Sequence, residues 1–427
     1  MRQRWVRLLP VMMMTFIIAF MDRTNIAFAI PTMGKELGLT PAVLGFASGV
    51  LFLGYGVSQG LGGWIADRGF GRALIAWLMV LWGLAEISQA FVQNATQLTA
   101  ARFALGFFEG GIFPTLLLFV RNWVAPSERA RANGVWQLAY PLAGMVSGPI
   151  AGTVLSMGDW RTLFIIEGLF PIVWVFVWLW GVAESPQTAK WLEPEDRRAL
   201  LDRLAAETPA VPEGGEVRVG IVAQMLRRPV VLFTTAIFLW NIGFLGFIIW
   251  LPSVLHQDAS LSSVTIGWLS AVPFAIAMVV MQPLTAWSDR FRDRRLFSAV
   301  PLAICGVSLI VAAQTYAGNG LAMNMALLSL AGAMLYGSQP VLWSIPAEIL
   351  PRQVAGVVTG IINAFGVLGA FTGPYLVGYV RGLTDSFAAG LAVMGVCLVA
   401  CAVLLWQIRE VAGRAAPLSG GSELGAH

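Results

Sequence analysis

Four charged side chains sit inside stretches of sequence that are otherwise apolar: Asp22 and Arg23 within residues 8–31, and Arg102 and Glu109 within 97–120. A charge at the centre of a bilayer costs roughly 2.5–3.5 kcal/mol even on the mildest scale, so such residues persist when they pair or face water. Arg102 and Glu109 are seven residues apart, two helical turns, and share a face. Asp22 and Asn25 are three apart and also share one. Arginine stays charged and offers a carboxylate a planar fork, so it holds an anion well and carries a proton badly. A carboxyl withdrawn from water favours its neutral form. It can therefore load a proton on one side of a barrier and release it on the other. This division of labour makes Arg23 and Arg102 anion attractors and Asp22 and Glu109 proton carriers. The alternative is a set of static buried ion pairs that only fix helix packing.

The elements that must carry these groups follow from composition. Of 427 residues, 57% are hydrophobic and 12% charged, too little charge to cover a soluble surface of this size. About 20 apolar residues cross a bilayer as a helix. Twelve such stretches are legible: 8–31, 42–66, 73–92, 97–120, 132–156, 161–183, 230–254, 263–287, 296–314, 321–347, 354–380 and 386–408. The expected fold is an all-α membrane protein. A six-helix bundle over 1–184 and another over 229–411 are joined by a polar loop over 185–228, and a flexible tail covers 412–427. In that loop Trp191 to Glu207 has the pattern of a surface helix, and the loop as a whole reads as a solvated linker.

Basic residues test the layout. If the N-terminus is cytoplasmic, the outer loops carry only Lys35, Arg161 and Arg381, and Arg23 and Arg102 lie within spans. Every other Lys or Arg, including Arg352 and Arg414, falls on the inner side. This bias places both termini inside, and the net charge of +4 reports topology rather than nucleic-acid binding. A rival reading of the N-terminus is a cleavable signal peptide ending near Ala27-Phe28-Ala29, which would leave eleven spans. Cys305, Cys397 and Cys401 fall in spans without metal spacing, and His256 and His427 lie outside them, so no metal site is expected. Neither a nucleophile and base motif nor a phosphate loop is present, so an enzyme is not expected.

The two halves repeat. "GGWIADRGFGR" after the second stretch and "LTAWSDRFRDR" after the eighth align Asp67-Arg68 with Asp289-Arg290, and Arg72 with Arg294, at an offset of 222. Gly148-Pro149 and Gly373-Pro374 correspond at 225. Parallel repeats about an axis along the membrane normal occur in one large transporter architecture, whose substrate site lies at mid-membrane between the halves. The offset maps Asp22 and Arg23 onto Phe244 and Leu245, and Arg102 onto Asn324, so proton handling belongs to the first half. Polar and aromatic contacts are then expected from Trp343, Ser344 and Asn363 of the second half, faced by Tyr55, Gln137 and Tyr140.

On "GGWIADRGFGR" the chain resembles the major facilitator superfamily, with Ala73 in place of the signature's last base. The resemblance implies a cytoplasmic gate in which Asp67, Arg68 and Arg72 latch helix ends. Gly63, Asp289, Arg290 and Glu348 belong to the same gate. "DRTNIAFA", "RFALGFFEGGIFP" and "WRTLFIIEG" are similar to the anion:cation symporters of that superfamily, carriers of sugar acids and other organic acids. This resemblance implies proton-coupled import of a small organic anion by a monomer in an inner or plasma membrane, with protons as the coupling ion and no cofactor. It puts protonatable acids at Asp22 and Glu109, and substrate contacts at Arg23, Tyr55, Arg102, Trp343 and Asn363. An amide is expected near Tyr140, where Gln137 lies one turn away. Glu86 and Glu167 receive no transport role. The rivals are a proton-driven exporter of hydrophobic compounds, prompted by Gly144-x-x-x-Gly148-Pro-x-x-Gly152, and a membrane receptor that binds an anion without moving it.

Overall fold

The computed structural model describes residues 2–207, 220–258, 260–315, 320–351 and 354–409. Arg352, the linker's 208–219, and the tail 412–427 with Arg414 and His427 lie outside the described residues. Among the described residues, eleven helical stretches are long and apolar enough to cross a membrane. The second, Pro41–Gln89, runs for 49 residues. At 1.5 Å per residue that is more than twice a bilayer core. It folds back at Ala66–Phe70, where Gly69 takes a φ of 83° that a side chain would resist. Twelve spans result, arranged as two six-helix bundles.

The first span is Arg2–Thr24 continued by Ile26–Glu36, the second Pro41–Ile65 and the third Gly71–Gln89. The fourth is Ala95–Glu109 with Ile112–Trp123, the fifth Arg129–Gln137 with Ala139–Met157, and the sixth Trp160–Gly181. In the second half the seventh is Arg228–Leu255, the eighth Ser263–Phe291 and the ninth Arg294–Thr315. The tenth is Leu321–Gly337 with Gln339–Ile349, the eleventh Ala355–Thr384 and the twelfth Phe387–Trp406.

Four spans are discontinuous: the first at Asn25, the fourth at Gly110-Gly111, the fifth at Leu138 and the tenth at Ser338. Each break adjoins polar or aromatic residues aimed inward, namely Asp22 and Arg23, Glu109, Gln137 and Tyr140, and Tyr336. Broken helices at membrane depth are tolerated where neighbouring groups or a water-filled cavity satisfy the freed backbone.

The halves meet on one side only. Toward the face opposite the basic loops, the second span packs on the eleventh and the fifth on the eighth. Phe46 lies edge-on to Phe371 and Tyr375, at centroid distances of 5.5 and 5.8 Å. Gly148 and Gly267 approach so closely that a Cβ on either would overlap the other's carbonyl. At the seam Asn363 Nδ2 donates to Gln59 Oε1 at 3.2 Å. Toward the basic face the seam opens: a Cβ added at Gly60, Gly134, Gly356 or Gly360 would find nothing within 4 Å. The molecule is therefore open to its basic face and closed at the other.

The linker is docked rather than solvated throughout. Its helix Pro194–Glu207 buries Leu200, 1% exposed, and Trp191 stacks on Trp123 at 5.3 Å. Arg203 Nη1 meets Glu128 at 3.1 Å, and Glu207 accepts from the Ser127 hydroxyl at 2.6 Å. Charge runs in sequence do not reveal which partners a neighbouring loop offers, and here Ser127 and Glu128 supply them.

Candidate functional site

The four intramembrane charges converge on the first span's break. Asp22, Arg102 and Glu109 are 0% exposed and Arg23 is 5%. Arg23 Nε donates to Glu109 Oε2 at 2.5 Å, an ion pair between the first and fourth spans. The Arg23 guanidinium also lies 4.4 Å from the Tyr55 ring and 5.6 Å from the Phe16 ring. Its Nη2 is buried without a hydrogen-bond partner, so one donor of the fork is unspent. Gly106 and Gly110 set this geometry. A Cβ on either would collide with the second span's backbone at Leu51 or Tyr55, so only glycine lets the fourth span bring Glu109 beside Tyr55 and Arg23.

Arg102 occupies a different place. Its Nη1 and Nη2 donate to the main-chain carbonyls of Asp22, at 3.2 Å, and Arg23, at 3.0 Å. These carbonyls end the first half-helix, where orphan acceptors and the negative end of the helix dipole favour a cation. In this conformation Arg102 caps the broken span and holds Arg23 in position. Asp22 Oδ2 accepts from Trp82 Nε1 of the third span at 2.8 Å, and its Oδ1 has no partner.

Around Arg23 the wall is aromatic and amide-bearing. Tyr140 lies edge-on to Phe16 at 4.6 Å and to Phe20 at 5.5 Å. Gln137, at the fifth span's break, is half-buried. Across the seam Tyr336 packs on Phe244 at 4.8 Å and on Phe274 at 5.1 Å, with its hydroxyl unpartnered. Trp343 and Asn363 are half-buried on the tenth and eleventh spans, and Asn363 is joined to Gln59 across the seam.

The basic face carries the expected gate residues. Asp67 pairs with Arg121 at 2.9 Å, while Arg68 donates to the Trp64 carbonyl and lies 3.4 Å from the Trp64 ring. Glu184 accepts from the Gly71 and Arg72 backbone at 2.9 and 2.6 Å, and the Arg72 side chain donates to the Leu179 carbonyl. In the second half Arg294 pairs with Asp289 at 2.5 Å and with Glu348 at 2.9 Å. Arg290 is exposed, and a Cβ added at Gly63 would lie 3.7 Å from Pro114, in ordinary contact. Each of these pairs stays within one half, as the open seam requires.

The sequence reading named Asn25, Glu86 and Glu167 without giving them a role and left out Gln59, Gln89 and Tyr336, all of which the structure brings to this centre. Asn25 Nδ2 and Gln89 Nε2 both donate to Glu86, each at 2.5 Å. Glu86, Gln89 and Glu167 are 0% exposed. Gln59 and Tyr336 join the wall from the second and tenth spans. The carboxylates were detectable by the same rule that singled out Asp22, since each is an acid inside an apolar run.

The Major Facilitator Superfamily model matches residues 12–374. The chain belongs to the major facilitator superfamily. It is 31% identical to a putative tartrate transporter of Agrobacterium vitis, an alignment covering 98% of this chain and 96% of the relative. It is 26% identical to a quinolone resistance transporter of Acinetobacter baumannii, over 94% and 93%. A solved bacterial homolog of the human lysosomal transporter Spinster shares the fold, with a TM-score of 0.72 over 94% of each chain at 16% identity. Members of this superfamily are transporters rather than enzymes. Among the described residues the buried charges all belong to the first half, and Phe244 stands where the repeat would place a counterpart of Asp22.

Proposed function

We propose that the protein is a proton-coupled symporter that imports a small organic anion by alternating access. The carboxylate is of the sugar-acid, aromatic or dicarboxylic class. The observation that carries the reading is Arg23: a buried guanidinium with one unspent donor, flanked by Tyr55 and already paired to a single carboxylate, Glu109. A substrate carboxylate and Glu109 compete for the same cation. When Glu109 is protonated, the Arg23 fork is free to bind the anion. When Glu109 releases its proton, the 2.5 Å ion pair re-forms and the anion is displaced. Asp22, beside Trp82, supplies a second carboxyl in the same chamber. Arg102 keeps Arg23 in register and reinforces the positive field. Gln137, Tyr140, Trp343 and Asn363 line the substrate's path.

The positive-inside bias puts the basic face, and both termini, in the cytoplasm of an inner membrane. The conformation described is then inward-open. Asp67, Arg68, Arg72, Asp289, Arg290 and Glu348 exchange their partners within each half for partners across the seam when the inside closes. Each exposed pair contributes about 1 kcal/mol or less, so the gate remains reversible. The similarity to a putative tartrate transporter favours hydroxylated carboxylates. If more protons than anionic charges enter, each net charge gains about 2.3 kcal/mol per 100 mV of membrane potential.

A second reading is proton-driven export of hydrophobic compounds. The similarity to a quinolone resistance transporter favours it, and so does the glycine-proline pattern of the fifth span. Gly148 has a local task, however: it brings the fifth span against Gly267 of the eighth. The unspent donor of Arg23 also suits an anion rather than a lipophilic cation. Proteoliposomes with an imposed inward proton gradient separate the two: uptake of a radiolabelled hydroxycarboxylate supports symport, and outward movement of a lipophilic cation supports export.

A further inference from the structure

Four carboxyls and two guanidiniums are buried together in the first half: Asp22, Glu86, Glu109 and Glu167 with Arg23 and Arg102, none more than 5% exposed. With every acid ionised the group would carry two uncompensated negative charges in a region with almost no access to water. Isolated buried charges are avoided by neutralisation. Hydrogen bonding indicates which acids are neutral. Glu109 has its cation in Arg23. Glu86 accepts two amide N–H bonds, from Asn25 and Gln89, as a carboxylate does, and Arg102 is its nearby cation.

Glu167 has none of this. Both its oxygens are buried without a hydrogen-bond partner. Its polar neighbours are Asn25, whose side-chain amide interacts with it without closing a hydrogen bond of good geometry, and Glu86, and Asp22 lies farther along the same group. Asn25 is itself half-satisfied. One N–H of its Nδ2 is given to Glu86, and its Oδ1 is a fully buried acceptor with no donor. An ionised Glu167 would be a buried charge without a paired cation and would leave that Oδ1 without a donor. A protonated Glu167 supplies the missing donor. The cations that neighbouring helices bring to the sixth span, Arg7 at Trp180 and Arg72 at Leu179, meet it about three turns or more from Glu167; the fifth span carries Tyr140 as its one titratable group between Ala139 and Met157, and Glu36 of the first is engaged by Trp160 and Arg161.

We propose that Glu167 is a second proton-holding carboxyl, distinct from Asp22, whose proton is donated to Asn25 Oδ1 at the break of the first span. The ion-paired Glu109, the amide-held Glu86 near Arg102 and two neutral acids then leave the group with no net charge. The proton ties the sixth span to the hinge of the first, the element that must bend for the halves to rock. Its consequence for coupling, a further proton that can move with each cycle, rests on the symport reading. The occupancy of Glu167 does not.

The test is infrared spectroscopy of the purified full-length protein at neutral pH, comparing the C=O band of protonated carboxyls in wild type, Glu167→Gln, Asp22→Asn and Glu86→Gln. Loss of one protonated-carboxyl component in Glu167→Gln, with that component kept in Glu86→Gln, is expected. Full retention of the protonated band in Glu167→Gln, with carboxylate intensity lost instead, overturns the proposal. Should Glu167→Gln fail to fold, Asn25→Ala removes the acceptor, and the proposal requires the same component to change frequency; an unmoved band overturns it. Proteoliposome uptake by the wild type keeps the two ideas apart. Absence of proton-driven accumulation together with the Glu167 band removes the symport reading and leaves this proposal standing. Accumulation without the band does the reverse.

Discussion

Arg23 and Glu109 close a 2.5 Å ion pair across the break of the first span, and each is nearly sealed from solvent. The pair links stability to transport, because each partner is the other's directly bonded counter-charge. Arg23→Ala leaves Glu109 buried beside no direct cation, and removing one partner of a buried pair costs about 3–5 kcal/mol. A marked fall in melting temperature is expected for Arg23→Ala and for Glu109→Ala. The Arg23→Ala, Glu109→Ala double variant is expected to lose less than the sum of the two, and this thermal-melt double-mutant cycle reads the coupling. Additive losses would mean that the pair does not act as a unit.

Asp22 and Glu109 are expected to be separable from anion binding. Asp22→Asn and Glu109→Gln should abolish proton-driven accumulation in proteoliposomes, while titration of the purified variants still detects the anion. Arg23→Ala should weaken that titration at least about tenfold, the loss of one charge-assisted contact worth roughly 1.5–3 kcal/mol. Wild-type accumulation in both acid variants would remove the proton role, and unchanged affinity in Arg23→Ala would remove the anion anchor.

The seam opposite the basic face should be lockable. Phe46 and Tyr375 pack edge to face at 5.8 Å from opposite halves. A Phe46→Cys, Tyr375→Cys pair, oxidised in liposomes, is expected to stop uptake reversibly while the basic-face opening remains accessible to a thiol probe on an added cysteine at Gly356. Unimpaired uptake at complete cross-linking would mean that this seam does not open during the cycle.

The linker's dock should respond to acid. Glu207 is pushed down to about 2, first by the Ser127 hydroxyl and then by the Arg203 guanidinium. A carboxyl with a depressed folded value stabilises its contact above the ordinary glutamate range and loses that contribution as pH falls through the folded value. Protection from hydrogen exchange in Pro194–Glu207, taken relative to the intrinsic rate at each pH, should therefore fall as pH drops from the ordinary glutamate range toward 2, and Glu207→Gln should show lowered protection at neutral pH. Protection indifferent to both changes would mean that the helix is held by Trp191 and Leu200 alone.

The spans and the charged centre were legible in the sequence for one reason: a bilayer makes charge conspicuous. Asp22, Arg23, Arg102 and Glu109 each interrupt an apolar run, and their energetic cost marks them without any knowledge of partners. The same rule applied to Glu86 and Glu167, yet their tie to Asn25 depends on where the third and sixth spans dock against the first, which periodicity does not state. Tyr336 was invisible because an aromatic residue in a span has the same pattern whether it lines a chamber or packs a core. Arg102 was readable as a buried cation but not as a cap, since its partners are main-chain carbonyls exposed only by the break at Asn25. The docked linker needed Ser127 and Glu128, contributed by a loop about 80 residues away along the chain.

Competition between Glu109 and a substrate carboxylate for Arg23 is tested most directly by anion binding as a function of pH. Isothermal titration of the purified protein with a hydroxycarboxylate in two buffers of different ionisation enthalpy reports proton uptake on binding. Net proton uptake in the wild type, lost in Glu109→Gln, is the expected result. Binding with no proton uptake at any pH, and the same in both proteins, contradicts it.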